Sequence, residues 1–354
     1  MILRKTLMKQ AGSFYGELRT ATRSAVPVAI LFMLMVCGSA TAEIGRAGQA
    51  GAFLRMGLGA RSLGMGGGTA ALADDATAAY GNPAALVFLE GRHIGISMDA
   101  MSLDRKLMSA QYGQSFRGRQ DSTRRGGPMA AGFALSWIGA VTGHIDGRDW
   151  DGNHTEDYTH VENAFQLSFA LQPGPAVGIG FSAKVLWSVF PGLTDRNESM
   201  GATGVGFDAG IRVRPVHSLA LAVSVHDLHS RYTWDSQKMY ERGSQTVSPF
   251  PLGFRLSAAW KGWSDRLTAV CQIEQRKVTD ADPQRWLPAE GSAGLEAEAA
   301  SGLFLRAGIN RDGFPFGFGV RRFLLGRVTG LDYAYAPDPV APGGRHAFTW
   351  SFLL

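Results

Sequence analysis

From residue 91 onward, apolar and polar side chains alternate with a period of two over one stretch after another. That period places successive side chains on opposite faces of an extended strand. Val205, Phe207, Ala209, Ile211 and Val213 share one face; Gly206, Asp208, Gly210, Arg212 and Arg214 share the other. Phe165 to Leu171, Phe250 to Trp260, Leu303 to Ile309 and Phe348 to Leu354 follow the same rule. Cutting at turn residues predicts about fourteen strands, near 91–99, 105–115, 129–139, 160–171, 176–188, 202–214, 217–227, 250–260, 265–275, 292–299, 302–310, 315–324, 328–336 and 345–353. Soluble strands average about 5–6 residues, whereas a tilted membrane-crossing strand needs about 9–11. The predicted lengths fit the second class.

The connections are sorted. Those after odd-numbered strands (140–159, 189–201, 228–249, 276–291, 337–344) are mostly long and polar. Those after even-numbered strands (172–175, 215–216, 261–264, 300–301) are tight; 116–128, 100–104 and 311–314 break the pattern. Long loops at one end and turns at the other mark outer-membrane barrels. Lys184, Asp208, Arg212, Arg255, Glu274, Glu296, Glu298, Arg306, Arg321 and Asp332 oppose the apolar face. An Arg or Lys facing lipid at mid-bilayer costs about 2–4 kcal/mol, so these residues are expected in the lumen. Trp137, Trp187, Trp260, Trp263, Trp350 and Tyr335 fall near strand ends, where an aromatic girdle would sit. The fold expected is all-β: a transmembrane antiparallel barrel of about fourteen strands with an N-terminal plug in its lumen.

Charged residues make up 18% of the chain, against about 25% in soluble domains. The twelve-residue apolar run Ala25 to Val36 is too short to span a bilayer as a helix. Basic residues precede it and Ala40-Thr41-Ala42 follows, so 1–42 reads as a secretory signal cleaved after Ala42. The net charge of +5 is then mostly the leader's, and nothing points to nucleic acid. Residues 43–90 are dense in glycine and alanine and poor in bulky apolar groups, so they cannot build a core alone. Packed inside a barrel, their glycines allow close backbone approach. The pairs Gly178/Gly180, Gly204/Gly206 and Gly317/Gly319 are candidates for local weakening of the wall.

The run GAFLRMGLGARSLGMGGGTAALADDATAAYGNPAAL (51–86) resembles the N-terminal signature of the PorV/PorQ group, a branch of the FadL-like outer-membrane β-barrels. Residues 135–153, 253–261, 294–310 and 330–337 are also similar to that family. The resemblance implies a fourteen-stranded barrel, 91–354, with a hatch, 43–90, folded into its lumen. It places Gly64, Gly66, Gly67, Asp74, Asp75, Asn82, Pro83 and Ala84 in the hatch signature. It implies uptake of a hydrophobic small-molecule ligand across outer-membrane lipid. As the alternative it implies a type IX secretion component whose partners are secretion-system proteins.

Other chemistries fit poorly. Gly64 to Gly68 lacks a preceding strand and a following Gly-Lys-Ser/Thr, so it is no phosphate cradle. Removal of the leader leaves Cys271 as the single cysteine, without zinc spacing. Asp74-Asp75 reads as a partner of lumen arginines, and His226-Asp227/His229 and His144/Asp146/His154 read as solvated loop or strand-end groups. No GxSxG or HExxH occurs. The expectation is a non-enzyme with no cofactor and no metal.

Overall fold

Fourteen of the extended segments close into a ring. The computed structural model describes residues 49–118, 130–193, 198–237, 243–278, 285–324 and 326–354, all within the unit Ala42–Leu354. The expected leader, 1–42, and its expected cleavage site lie outside the described residues. The wall strands are β1 (Arg92–Met101), β2 (Arg105–Arg117), β3 (Ala130–Arg148), β4 (His154–Gly174), β5 (Val177–Phe190), β6 (Met200–Val216) and β7 (Leu219–Leu228). They continue with β8 (Leu252–Gly262), β9 (Leu267–Val278), β10 (Glu290–Ala300), β11 (Leu303–Ile309), β12 (Phe316–Leu324), β13 (Arg327–Pro337) and β14 (Gly344–Leu353).

Each strand is antiparallel to the next. β7 meets β8 from Leu219 opposite Trp260 to His226 opposite Gly253. β14 returns to β1, with Leu353 opposite His93 and His346 opposite Ala100. The ring therefore has no free edge, and ladder N–H and C=O groups pair without water. No helix among the described residues is long and apolar enough to cross a membrane; the crossing is by strands.

Burial follows the alternation with the sign reversed from a soluble protein. Leu135, Phe165, Leu167, Phe169, Val185, Val205, Leu256, Leu305 and Phe318 are exposed on the outside, while Ser168, Ser182, Lys184, Asp208, Arg255 and Glu296 are buried within. Outward rings pair across strands: Phe133 with Phe169 at 5.5 Å, Phe181 with Phe207 at 5.6 Å, Phe318 with Tyr333 at 5.4 Å between centroids. Such pairs each add a few tenths to about 1 kcal/mol. The fourteen residues of β5 extend roughly 46 Å, enough to cross a hydrocarbon layer of about 30 Å when tilted. This is a transmembrane barrel of the outer-membrane type.

The loops depart from expectation. Residues 140–159, expected as one long loop, are mostly strand: β3 and β4 run 19 and 21 residues and turn only at 149–153. Beyond the bilayer both faces of the hairpin meet water, so the stretches Thr142 to Arg148 and His154 to His160 stay extended with no apolar row to reveal them. Residues 228–249 hold a second hairpin, Arg231–Asp235 with Gln245–Pro249, whose first strand also pairs with β6 through Thr203 opposite Thr233. The span 276–291 is shared among the end of β9, the start of β10 and the short strand Arg285–Trp286.

Leu256, 57% exposed in the middle of β8, tests the assignment of the outer face. Leu256→Arg is expected to destabilise the lipid-embedded fold by about 2–4 kcal/mol. Urea unfolding in vesicles followed by loss of heat-modifiable migration measures it; an unchanged midpoint would contradict a hydrocarbon-facing position.

Candidate functional site

Residues 49–90 lie against the polar, inner face of the wall. A 3₁₀ turn at Ala52–Arg55 places Phe53 and Leu54 on Leu107, Ile138, Leu186, Tyr232 and Phe250. The short helix α1 (Ala60–Gly64) crosses to β11–β14. Met65, Ala71 and Leu72 then pack on Ala220, Ala222, Ala259 and Val270 of β7–β9. The turn α2 (Ala78–Gly81) leads into a second 3₁₀ turn, Pro83–Phe88, which sits against β2–β6. Tyr80 joins the two halves: its hydroxyl donates to Leu54 O at 2.7 Å and accepts from Gly57 N at 3.2 Å.

Glycines of the wall make this fit possible. A Cβ at Gly132 would stand 2.5 Å from Leu86 Cβ, and one at Gly178 would stand 2.5 Å from Ala84 O. Gly180 abuts Ala84, Gly210 abuts Asn82, Gly294 abuts Met65 and Gly308 abuts Gly66, all too closely for a side chain. Gly178/Gly180 thus serve close approach by the inner segment. A Cβ on Gly64 would stand 3.4 Å from Gly317 Cα, while Gly319 makes room for Arg306 and Asp332. On the segment, Gly66 and Gly67 have φ of +77° and +86°, which disfavours any residue with a Cβ.

Asn82 is fully buried. Its Oδ1 accepts from Ala84 N at 2.9 Å, and its Nδ2 donates to Ile211 O of β6 at 3.2 Å. With Pro83 at the first position of the turn, Asn-Pro-Ala is a capped start fastened to the wall. Asp75 accepts from Thr77 N at 2.8 Å and from Arg61 at 3.0 Å. Asp74 accepts from Arg61 at 2.5 Å and from Lys261 of β8 at 2.8 Å. Burial opposes the charge on Asp74, but Arg61 and then Lys261 outweigh it and hold the carboxyl well below its ordinary range.

The inward charges gather into two networks. Arg61 grips Glu296 of β10 with two bonds of 2.7 and 2.8 Å, and Arg306 reaches the same carboxylate at 2.7 Å and Asp332 at 2.7 Å. Lys184 pairs with Asp208 at 2.7 Å and Asp227 at 2.6 Å; nearby, Arg255 meets Glu274 at 2.8 Å and Arg276 meets Glu290 at 2.6 Å. Arg212 donates to Ala71 O at 2.7 Å and stacks 4.4 Å over the Phe88 ring. Arg321, 4.7 Å over Phe304, and Glu298, accepting from Gly302 N, stand apart at the turn end.

Sequence reasoning missed Arg61, Lys261, Arg276 and the pair Asp99–Arg345, which also binds Gly57 O at 2.9 Å. It read His226 and Asp227 as solvated, whereas both are buried and Asp227 is held by Lys184. Asp99 and Arg345 were accessible from the two-residue period; Glu296, the wall partner of Arg61, is 235 residues away from it and was not. His144 pairs with Asp104 and His154 with Asp146, so the loop trio is divided between two contacts.

Between the segment and the wall is a cavity of about 360 Å³. Phe53, Met56, Met101 and Val141 give it apolar surface, beside Arg105 and Lys106; Arg255, Glu274, Arg276 and Arg311 give it a charged side. Beside it the wall is irregular. Asp227 and His229 take φ of 61° and 53°, and the pairing of β6 is interrupted between Phe207–Leu228 and Thr203–Thr233. Gly204 and Gly206 face Arg231 O and Ser230 there.

Neither a known family model nor a curated protein matches the chain. Among solved structures it is similar to the Pseudomonas putida toluene transporter TodX, at 14% identity over 84% of this chain and 97% of that one, with a TM-score of 0.53. The fold is FadL-like. The monoaromatic hydrocarbon channel CymD matches at 15% identity, 84% and 96% coverage and a TM-score of 0.52. A Pseudomonas aeruginosa FadL homologue matches at 13%, 83%, 97% and 0.51. At such identities the likeness is one of architecture.

Arg61→Ala removes a buried cation from three carboxylates and leaves Glu296 short of a partner. The expected cost is about 3–5 kcal/mol, read as a lower urea midpoint in vesicles. Gly180→Val is expected to dislodge 83–88 without opening the ring, making the segment protease-sensitive while heat-modifiable migration persists.

Proposed function

We propose that the chain is an outer-membrane protein of the PorV/PorQ type that moves hydrophobic small molecules, with residues 43–90 as a hatch. The observation that carries this reading is the cavity bounded on one side by the segment and on the other by the wall. An apolar solute gains by leaving water for the apolar surface of Phe53, Met56 and Met101, at about 25 cal/mol per Å² of apolar surface covered. The charged side is neutralised largely within itself, so it orders the wall without repelling an uncharged guest. Passage requires 49–90 to shift, because Met65 to Leu72 and Pro83 to Phe88 stand between the cavity and the tight-turn end. The interrupted pairing beside Gly204 and Gly206 offers a sideways exit. The solved neighbours named for toluene and monoaromatic hydrocarbons support the same class of cargo. The secretion-handling alternative draws on no feature of this geometry.

Gly64, Gly66, Gly67, Asp74, Asp75, Asn82, Pro83 and Ala84 are, in this reading, the residues that seat the hatch. A reversible lock tests it. Ala71 N lies 3.2 Å from Ser257 Oγ, so Ala71→Cys with Ser257→Cys, in a Cys271→Ala background, joins hatch to wall. Oxidation is expected to reduce entry of N-phenyl-1-naphthylamine into proteoliposomes to the protein-free level, and reductant to restore it. Equal influx in both states would reject a moving hatch; no influx at all would reject the cargo class.

A further inference from the structure

At the tight-turn end, four of five neighbouring strands carry an arc of exposed arginines. The order β12–β13–β14–β1–β2 follows from Leu324 opposite Arg327, Val328 opposite Leu353, His93 opposite Leu353 and Arg92 opposite Gln114. Arg322, Arg327, Arg92 and Arg117 stand on these strand ends, all exposed. Adjacent strands are about 4.8 Å apart, so the arc spans roughly 20 Å. Arg92 shares its face with Ile94 and Ile96, Arg322 with Phe316 and Phe318, and Arg327 with Leu331, so these three point outward from the barrel.

The arc is little neutralised. Among the described residues Arg92 and Arg327 make no ion pair, and Arg117 only approaches the exposed Glu90 at 3.9 Å. Arg322 donates from one nitrogen to Ser301 O and Arg321 O, leaving the rest of its fork free. At the opposite rim the contrast is plain: Arg105 is held by Asp338 at 2.5 Å and Lys106 by Asp104 at 3.1 Å. Phe116 and Leu324 are exposed on the outer face beside the arginines.

We propose that this arc is a docking surface for anionic glycerophospholipid headgroups in the leaflet at the tight-turn end. The flanking apolar side chains fix the depth: they belong in acyl chains, which sets the guanidinium groups at the level of lipid phosphates. An Arg fork matches a phosphate with paired N–H donors, and cationic side chains at this level are drawn to an anionic leaflet. An acidic protein would have to leave Leu324 and Phe116 in water or displace the lipid that covers them, so lipid is the occupant the surface fits.

The test uses the mature, folded barrel, exchanged into nanodiscs holding equal phosphatidylglycerol and phosphatidylcholine, then stripped in mild detergent and weighed by native mass spectrometry. The unaltered protein is expected to retain phosphatidylglycerol in preference to phosphatidylcholine; no preference overturns the proposal, whatever the variants do. Arg92→Gln/Arg117→Gln/Arg322→Gln/Arg327→Gln is expected to lose that preference, whereas Lys106→Gln at the other rim keeps it. Equal retention by the quadruple variant, shown to be folded by heat-modifiable migration, overturns the assignment. Displacement of the lipid by inorganic phosphate alone would reassign the arc to a free anion and overturns it as well. Capture of an acidic protein with no lipid preference does the same.

Discussion

Backbone pairing without water is the condition on which the structure depends. Inside hydrocarbon an unpaired N–H or C=O costs several kcal/mol, and only a closed ladder removes every edge. The seam between β14 and β1, eight residue pairs from His93–Leu353 to Ala100–His346, meets that condition here. Everything else is arranged around it. Once the backbone is satisfied, the outer side chains need only be greasy, and the inner ones are free to carry charge.

The interior uses that freedom in two ways. Where the wall is glycine, at 132, 178, 180, 294 and 308, backbone meets backbone and the inner segment approaches as closely as a neighbouring strand would. Where the wall is charged, at Glu296, Arg306, Asp332, Lys184 and Asp208, ion pairs are shielded from water and hold fixed positions. Arg61 belongs to both the segment and the wall network, which makes it the point at which movement of one must disturb the other.

Most of the fold was legible because hydrocarbon outside and ions inside impose one period on strand after strand. The expected segment 202–214 became β6 over Met200–Val216, and 265–275 became β9 over Leu267–Val278. The rule fails where its cause ends. Past the bilayer, Thr142 to Arg148 and His154 to His160 meet water on both faces, so nothing in their composition separates a hairpin from a loop. The candidate site was legible as a list of inward charges but not as a circuit. Pairings such as Arg61 with Glu296, or the turn that brings Asp227 onto Lys184, depend on closure and on a positive φ that no local pattern announces.

The inner segment touches β2–β6 through Pro83–Phe88, β7–β9 through Met65 to Leu72, and β11–β14 through α1. No partial sheet presents all three surfaces at once. Residue 91, where the chain leaves the interior, adjoins the seam itself: a Cβ on Gly91 would meet Leu353 at 2.8 Å. The order of assembly is thereby constrained, since the final zipping of first strand to last must follow, or coincide with, the tucking-in of residues 49–90. The ring closes around a segment it already holds.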